Sequence, residues 1–150
     1  MVIHIPKISC SLLAAEKIDN YHNVLQSARL IAEANIDYLH YDISDHQKTL
    51  DIKHINQLTR DLELPLDIHI ANQIIPANLA SLNLRKKDFI ALQIENIVSL
   101  EALKNLKQKT HCQIGLAIKT TTPIEQLNIY AKDLDFALLM AAEPGVSGGS

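Results

Sequence analysis

The chain has 150 residues, of which 47% are hydrophobic, and its formal net charge is −3, so it is long enough for one domain with a core of its own. Acidic and basic residues are interspersed without a basic stripe, which argues against a nucleic-acid partner. No apolar run reaches the roughly 18–20 residues that span a membrane, and the N-terminus has neither the charged start nor the long apolar stretch of a signal peptide.

Short apolar runs alternate with amphipathic stretches along the first half of the chain. Residues 7–11 are predicted to form a strand, and apolar side chains then recur at helical spacing over residues 24–32. A second strand is predicted at 36–42, a helix at 52–62 and a third strand at 66–70. The period changes from helical to extended at each step, which is typical of β-then-α units.

The same alternation continues in the second half. A short helix is expected near 76–82, although its pattern is poorly marked. A fourth strand is predicted at 89–94, a helix at 98–106 and a fifth strand at 112–118.

The end of the chain carries its clearest helix signal and most of its glycine. Thr122-Pro123-Ile124-Glu125 combines a capping box with proline at the first helical position. A sixth strand is predicted at 135–140, and three of the four glycines lie in the last six residues. The sequence therefore stops inside a glycine-rich loop on the carboxyl side of a strand.

Six β-then-α units imply a parallel sheet with helical crossovers, for which two architectures are open. A doubly wound open sheet would be completed by six units. A (β/α)8 barrel would need about two more units and roughly 200–250 residues. Periodicity alone does not decide between them.

The residues that could bind a ligand or take part in catalysis lie near the carboxyl ends of the first three strands. Ser11 ends strand one, His40 and Asp42 lie two residues apart in strand two, and Asp67 and His69 do the same in strand three. Residues two apart in a strand share a face. Ligands of parallel α/β folds bind at the carboxyl ends of the strands, so we expect these side chains to converge.

Two imidazoles and a carboxylate at one end of a sheet are suitable ligands for a divalent metal such as Zn²⁺, Fe²⁺, Mn²⁺ or Co²⁺. A single histidine in a strand is more often structural, but two acid–histidine pairs on adjacent strands favour a site. The remaining histidines show no such pairing and are expected at the surface or in loops: His4, His22, His46, His54 and His111.

Five motifs follow one another along the chain: Ile8-Ser9-Cys10-Ser11-Leu12-Leu13-Ala14-Ala15-Glu16, Tyr38-Leu39-His40-Tyr41-Asp42-Ile43-Ser44-Asp45, Leu64-Pro65-Leu66-Asp67-Ile68-His69, Gly115-Leu116-Ala117-Ile118-Lys119 with Thr122-Pro123, and residues 135–140 followed by Glu143-Pro144-Gly145. Together they resemble the motifs of ribulose-phosphate 3-epimerases. Their order and spacing agree with that family over nearly the whole chain.

The resemblance implies a (β/α)8 TIM barrel, of which residues 1–150 would form strands one to six as a partial domain. It implies one divalent metal ion held by His40, Asp42 and His69, with a further acidic ligand from a seventh strand outside this sequence. Asp42 would also be one of two acid–base carboxylates, and the second would come from that same strand. Residues 1–150 alone are therefore expected to be inactive.

The resemblance also implies a set of residues around the substrate. Ser11 would hydrogen-bond it, His69 would contact it, and Met140 would line the floor beside the reacting carbons. Three glycines would form part of a mobile loop near the phosphate: Gly145, Gly148 and Gly149.

The implied activity is inversion of carbon 3 of a ketose phosphate through a cis-enediolate, converting D-ribulose 5-phosphate into D-xylulose 5-phosphate in the pentose phosphate pathway. One alternative is the same chemistry on a hexulose phosphate such as allulose 6-phosphate, and another is a catalytically inactive binding or assembly protein. The chain departs from the family pattern in the run 46–51 and in a glycine loop that is one residue longer; in addition, Ser44 and Ala71 stand where the family has Met, and Gln93 where it has His.

The expected partner is a sugar phosphate, with no nucleic acid and no membrane, and a homo-oligomer is left open. Cys10 and Cys112 have no spacing that indicates a disulfide framework or a zinc knuckle. A reducing, cytoplasmic location is therefore expected.

Overall fold

The computed structural model describes residues 5–14, 21–44, 52–71, 79, 82–97 and 99–141. Within them a single six-stranded sheet forms, with the strands in the order β1-β2-β3-β4-β5-β6. The strands are β1 (Ser9–Ser11), β2 (Tyr38–Ile43), β3 (Leu66–Ile70), β4 (Phe89–Gln93), β5 (Gln113–Ile118) and β6 (Phe136–Leu139).

The strand order decides between the two architectures that the sequence leaves open. Each strand pairs in parallel with the strand that follows it in the chain. A doubly wound sheet reverses its direction of growth at a switch point, whereas a barrel grows in one direction. The described residues therefore form six strands of an incomplete (β/α)8 barrel, as predicted.

The described residues between the strands form three α-helices: α1 (Tyr21–Glu33), α2 (Ile55–Asp61) and α3 (Leu100–Lys109). A 3₁₀ turn at Ile52–His54 leads into α2. The short helix predicted near 76–82 falls mostly outside the described residues. Among the helices that the structure describes, none is both long and apolar enough to cross a membrane.

The helix start predicted at Thr122 is correct in position but wrong in type. Residues Ile124–Ile129 form a 3₁₀ helix, and no side chain caps it. The hydroxyl of Thr122 donates instead to the carboxylate of Glu95, which follows β4. The Thr122 hydroxyl, which would cap the helix in a capping box, therefore binds Glu95 instead.

The sheet has two chemically different faces because side chains alternate along each strand. The outer face carries the buried aliphatic residues, such as Ile68 on β3 and Leu116 on β5, which are fully buried. They form one hydrophobic cluster with the helices, to which α1 contributes Val24 and Ala28. The core therefore lies between the sheet and the helices.

Aromatic rings fill the inner face at the amino ends of the strands. Phe89 contacts Tyr38 and Phe136 edge to face, at centroid distances of 5.1 Å and 5.4 Å. Gly115 lies beneath the third ring, where an added Cβ would come within 2.6 Å of Phe136 Cζ. This apolar layer closes one end of the inner face and leaves the opposite end to polar side chains.

Three aspartates join the strands in pairs at the amino end. Each lies immediately before an even-numbered strand and accepts a backbone N–H from a residue within one position of the first residue of the preceding strand. Asp37 accepts from Ile8 at 2.8 Å, Asp88 from Leu66 at 2.9 Å and Asp135 from Ile114 at 2.9 Å. The sequence pattern had placed Asp37 and Asp135 inside strands; the structure places them just before.

His54 corrects an expectation, since it was predicted at the surface or in a loop. It is 6% exposed, and its Nδ1 lies 3.2 Å from the hydroxyl of Tyr41. The ring also lies 5.5 Å from that of Tyr21. His22 and His111 are exposed as expected, and His4 and His46 lie outside the described residues.

Candidate metal centre

Strand register brings the two acid–histidine pairs side by side. In the pairing of β2 with β3, His40 is opposite Asp67 and Asp42 is opposite His69. All four side chains project from the inner face, since their strand neighbours Tyr41 and Ile68 are buried on the outer one. The pairs therefore form one cluster toward the carboxyl end of the sheet.

Asp42 lies at the centre of this cluster. Its Oδ1 is 3.1 Å from His40 Nε2 and 3.1 Å from His69 Nδ1. One ligand atom from each of the three residues lies within 4.8 Å of the others. The structure thus brings together the three residues that were expected to bind a metal.

The spacing of these atoms suits a small divalent cation. Metal–ligand bonds of about 2.1 Å place neighbouring ligand atoms about 3.0 Å apart at right angles and about 3.4 Å apart in a tetrahedron. The two 3.1 Å separations around Asp42 Oδ1 fall in that range. The two imidazole nitrogens lie within 4.8 Å of each other, and in a bound site they would be at most about 4.2 Å apart, twice the length of the metal–ligand bond.

Each histidine has an oxygen on its outer nitrogen as well. His40 Nδ1 lies 3.0 Å from Asp67 Oδ2, and that oxygen also accepts from the hydroxyl of Ser9 at 2.7 Å. His69 Nε2 lies 2.9 Å from Oε1 of Gln93. Oxygen partners of this kind orient metal-binding imidazoles.

Each of the two imidazole rings therefore has an oxygen atom beside both of its nitrogens. The positions of the ring hydrogens then decide whether a cation can bind beside Asp42. A neutral imidazole has one N–H, so it can donate to only one of its two neighbours. If His40 donates to Asp67 and His69 to Gln93, each ring turns a lone pair toward Asp42. Such lone pairs beside a carboxylate require a proton or a metal cation between them, so the donor set fits a divalent ion.

The electrostatics of the cluster also favour a cation beside Asp42. Burial lowers the pKa of His40, but hydrogen bonds to Asp42 and Asp67 outweigh it and raise the pKa to about 10. Burial raises the pKa of Asp42, but hydrogen bonds from His40 and His69 hold it well below its usual range. Positive charge is thus stabilised beside Asp42, and a metal ion would displace the proton from His40.

The residues expected around the substrate are placed less completely. Ser11 pairs with His40 in the sheet register, but its hydroxyl accepts the backbone N–H of Leu13 at 3.2 Å. Met140 Sδ lies 3.5 Å from Gln93 Nε2, at the edge of the cluster. The loop glycines lie outside the described residues: Gly145, Gly148 and Gly149.

Sequence reasoning did not identify Ser9, Gln93 and Glu95 as parts of this network. Ser9 shares a face with Ser11, so alternation gave a signal for it. Gln93 was noticed only as a departure from a family pattern. Glu95, which accepts from Gln93 Nε2 at 2.6 Å, follows β4 and has no local signal at all.

Comparison with known proteins supports the resemblance. A model of the ribulose-phosphate 3 epimerase family matches residues 7–150. The chain is similar to the ribulose-phosphate 3-epimerase of Methanocaldococcus jannaschii, with 25% identity over 149 residues, covering 95% of this chain and 60% of that protein. It is also similar to that of Buchnera aphidicola from Acyrthosiphon pisum, with 23% identity over 130 residues, 83% of this chain and 57% of that protein. The chain therefore spans less than two thirds of the length of these relatives.

Proposed function

Because the chain belongs to the ribulose-phosphate 3-epimerase family, we propose that it is part of a metal-dependent epimerase barrel. The reaction would interconvert D-ribulose 5-phosphate and D-xylulose 5-phosphate by inverting carbon 3. The observation that carries this proposal is the carboxylate of Asp42, held between the imidazoles of His40 and His69 on the inner face. The substrate would be a sugar phosphate, as the name ribulose-phosphate 3-epimerase implies for both similar proteins.

Asp42 is suited to move the proton of carbon 3. That proton is weakly acidic because it lies beside a carbonyl, and its removal needs a positioned base. Oδ1 of Asp42 faces both imidazoles, whereas the described residues give Oδ2 no hydrogen bond. Oδ2 would take the proton, and the lowered pKa keeps the group ionised at neutral pH.

The divalent ion, Zn²⁺, Fe²⁺, Mn²⁺ or Co²⁺, would be held by His40, Asp42 and His69. When bound, it would stabilise the negative charge that develops on the substrate oxygens. Asp67 and Gln93 would keep the two imidazoles turned toward the ion.

Inversion needs a second acid–base group on the opposite face of the substrate, because one carboxylate reaches only one face. The family resemblance assigns that group to strand seven, which is not among the six described strands. Ser11 and Met140 would contact the substrate from β1 and from the end of β6. The phosphate would lie near Gly145, Gly148 and Gly149.

The test is Asp42→Asn in the complete epimerase barrel of which these residues would be part, assayed for conversion of ribulose 5-phosphate with each of the four divalent metals. We expect the rate to fall by at least 10²–10⁴-fold, the range that general acid–base catalysis contributes. Asp133→Asn is the matched control, since Asp133 carries an ion pair to Lys104 at 3.6 Å away from the cluster. It should leave the rate unchanged.

Equal and small effects of the two substitutions would show that Asp42 is not the base. Turnover of allulose 6-phosphate without turnover of ribulose 5-phosphate would show that the substrate is the hexulose phosphate. Metal binding with no epimerisation of either sugar would favour a binding or assembly role.

A further inference from the structure

The end of β4 places an amide against one of the candidate metal ligands. Gln93 is 2% exposed. Its Oε1 lies 2.9 Å from His69 Nε2, and its Nε2 donates to a carboxylate oxygen of Glu95 at 2.6 Å. Gln93 therefore connects His69 to Glu95 through the two ends of one amide.

The two ends of that amide are not interchangeable. Carboxylate oxygens only accept hydrogen bonds, so Glu95 must face the NH₂ group of Gln93. This leaves the carbonyl Oε1 for His69, and because Oε1 also only accepts, His69 Nε2 must carry a hydrogen. The network thus fixes the orientation of the amide without reference to the imidazole.

Glu95 is itself held in place from the opposite side. Its Oε1 accepts the hydroxyl of Thr122 and the backbone N–H of Lys119, the latter at 3.3 Å. Burial raises the pKa of Glu95, but the hydrogen bonds from Thr122 and Gln93 outweigh it and lower the pKa. Glu95 therefore stays an acceptor at neutral pH, and the chain of contacts runs from His69 to the segment that follows β5.

We propose that Gln93 is a positioning residue that fixes His69 as the Nε2–H tautomer and so presents its Nδ1 to a divalent cation beside Asp42. Glu95 sets the direction of the Gln93 amide. This inference rests on the metal-binding part of the proposed function and not on the sugar that is turned over. It gives a role to one of the positions at which the sequence departs from its family pattern.

The consequence for binding is a preorganised ligand. A neutral imidazole free of an outer partner exchanges its hydrogen between the two nitrogens, so part of its population offers no lone pair to the ion. Outer partners of metal-binding histidines are typically worth 10–100-fold in metal affinity. Loss of the Gln93 acceptor should therefore weaken binding by that factor without removing a ligand.

The test compares the protein with its Gln93→Met variant, which keeps the length of the side chain but has no acceptor for Nε2–H. Zn²⁺ affinity is measured by competition with a chelator, and the ring nitrogens of His69 are followed by ¹⁵N NMR in the Zn²⁺-loaded protein. We expect about 10–100-fold weaker binding in the variant. We also expect a protected Nε2–H and a metal-bound Nδ1 in the wild type, with the Nε2–H exchanging faster in Gln93→Met.

Gln113→Met is the matched control. Gln113 starts β5, opposite Phe89 at the other end of the sheet, and its replacement should leave Zn²⁺ affinity and the His69 signals unchanged. Glu95→Gln should weaken binding less than Gln93→Met does, because a glutamine there can still accept from the Gln93 amide but no longer dictates its direction.

Two results would overturn the inference. One is wild-type Zn²⁺ affinity together with an unchanged Nε2–H signal in Gln93→Met. The other is binding of Zn²⁺ by Nε2 of His69 in the wild-type protein. This second result can be obtained even if the variant does not fold. If Zn²⁺ binds as expected but the protein does not epimerise the sugar, the proposed reaction is wrong and the role of Gln93 is supported. If Zn²⁺ does not bind at all, both proposals are wrong.

Discussion

Ser44 presents a buried hydroxyl with no hydrogen-bond partner in the part of the chain that the structure describes. It is 7% exposed and comes directly after β2, which ends at Ile43. A buried polar group without a partner costs about 1–3 kcal/mol of stability. The buried hydroxyl of Ser44 is therefore expected to lower the stability of the folded protein.

Removing that hydroxyl should stabilise the protein. We expect Ser44→Ala to raise the free energy of unfolding by about 1 kcal/mol, measured by urea titration. Ser99→Ala is the comparison, because the Ser99 hydroxyl accepts from the backbone N–H of Ala102 at 3.1 Å at the start of α3. The same substitution there should lower stability by about 1 kcal/mol. A loss at Ser44 as well would mean that its hydroxyl has a partner in solution.

At the scale of elements, the strand pairs are joined most firmly where Asp88 precedes β4. Asp88 is fully buried and accepts from the backbone N–H groups of Leu66 and Arg85. It also accepts from the Arg85 guanidinium at 2.8 Å and 2.9 Å. The same guanidinium donates to Leu64 O at 2.9 Å, in the connection from α2 to β3. One carboxylate therefore fixes two strands and a helix connection.

Asp88→Ala should cost about 3–5 kcal/mol of unfolding free energy, because it leaves the Arg85 charge and two N–H groups without their acceptor. Asp37→Ala is the matched comparison, since Asp37 makes the same contact, to Ile8 N at 2.8 Å, in a more exposed place. It should cost about 1 kcal/mol. Thermal or urea unfolding measures both, and equal losses would show that the buried ion pair adds nothing to the strand contact.

Many of the strands and helices could be predicted from the sequence, because they depend on the local periodicity of apolar residues. The residues 66–70 were predicted as a strand and form β3, and the helix predicted at 98–106 is found as α3, shifted by two to three residues to Leu100–Lys109. The convergence of Asp42 and His69 follows from alternation and from the rule that parallel strands share a carboxyl end. Periodicity of this kind does not depend on distant partners.

The rest depends on partners that lie far apart in the chain. Thr122 has the local sequence of a helix cap, yet its hydroxyl donates to Glu95, 27 residues away. The role of Gln93 depends on both His69 and Glu95, and only the sheet register brings the first of these beside it. The buried position of His54 follows from its packing against Tyr41 and Tyr21. No local pattern encodes these contacts.

At the scale of the whole molecule, the sheet has two outer edges, one on β1 and one on β6. Among the described strands, β1 pairs only with β2 and β6 only with β5. The outer edges of β1 and β6 in a polypeptide of residues 1–150 therefore offer N–H and C=O groups to another strand. Apolar side chains lie near both edges, since Ile8 is 61% exposed and Leu139 is 62% exposed.

A polypeptide of residues 1–150 should therefore self-associate through these edges, with a mass in solution that rises with concentration. Leu139→Lys places a charge on β6 and should shift this association to higher concentrations, because charged edge strands resist pairing. Leu30→Lys is the matched control, since Leu30 is also 62% exposed but lies on the helix α1 and not on an edge strand. Sedimentation equilibrium of the three proteins measures the effect. A monomer at all concentrations, or an equal response to both lysines, would show that the strand edges do not drive association.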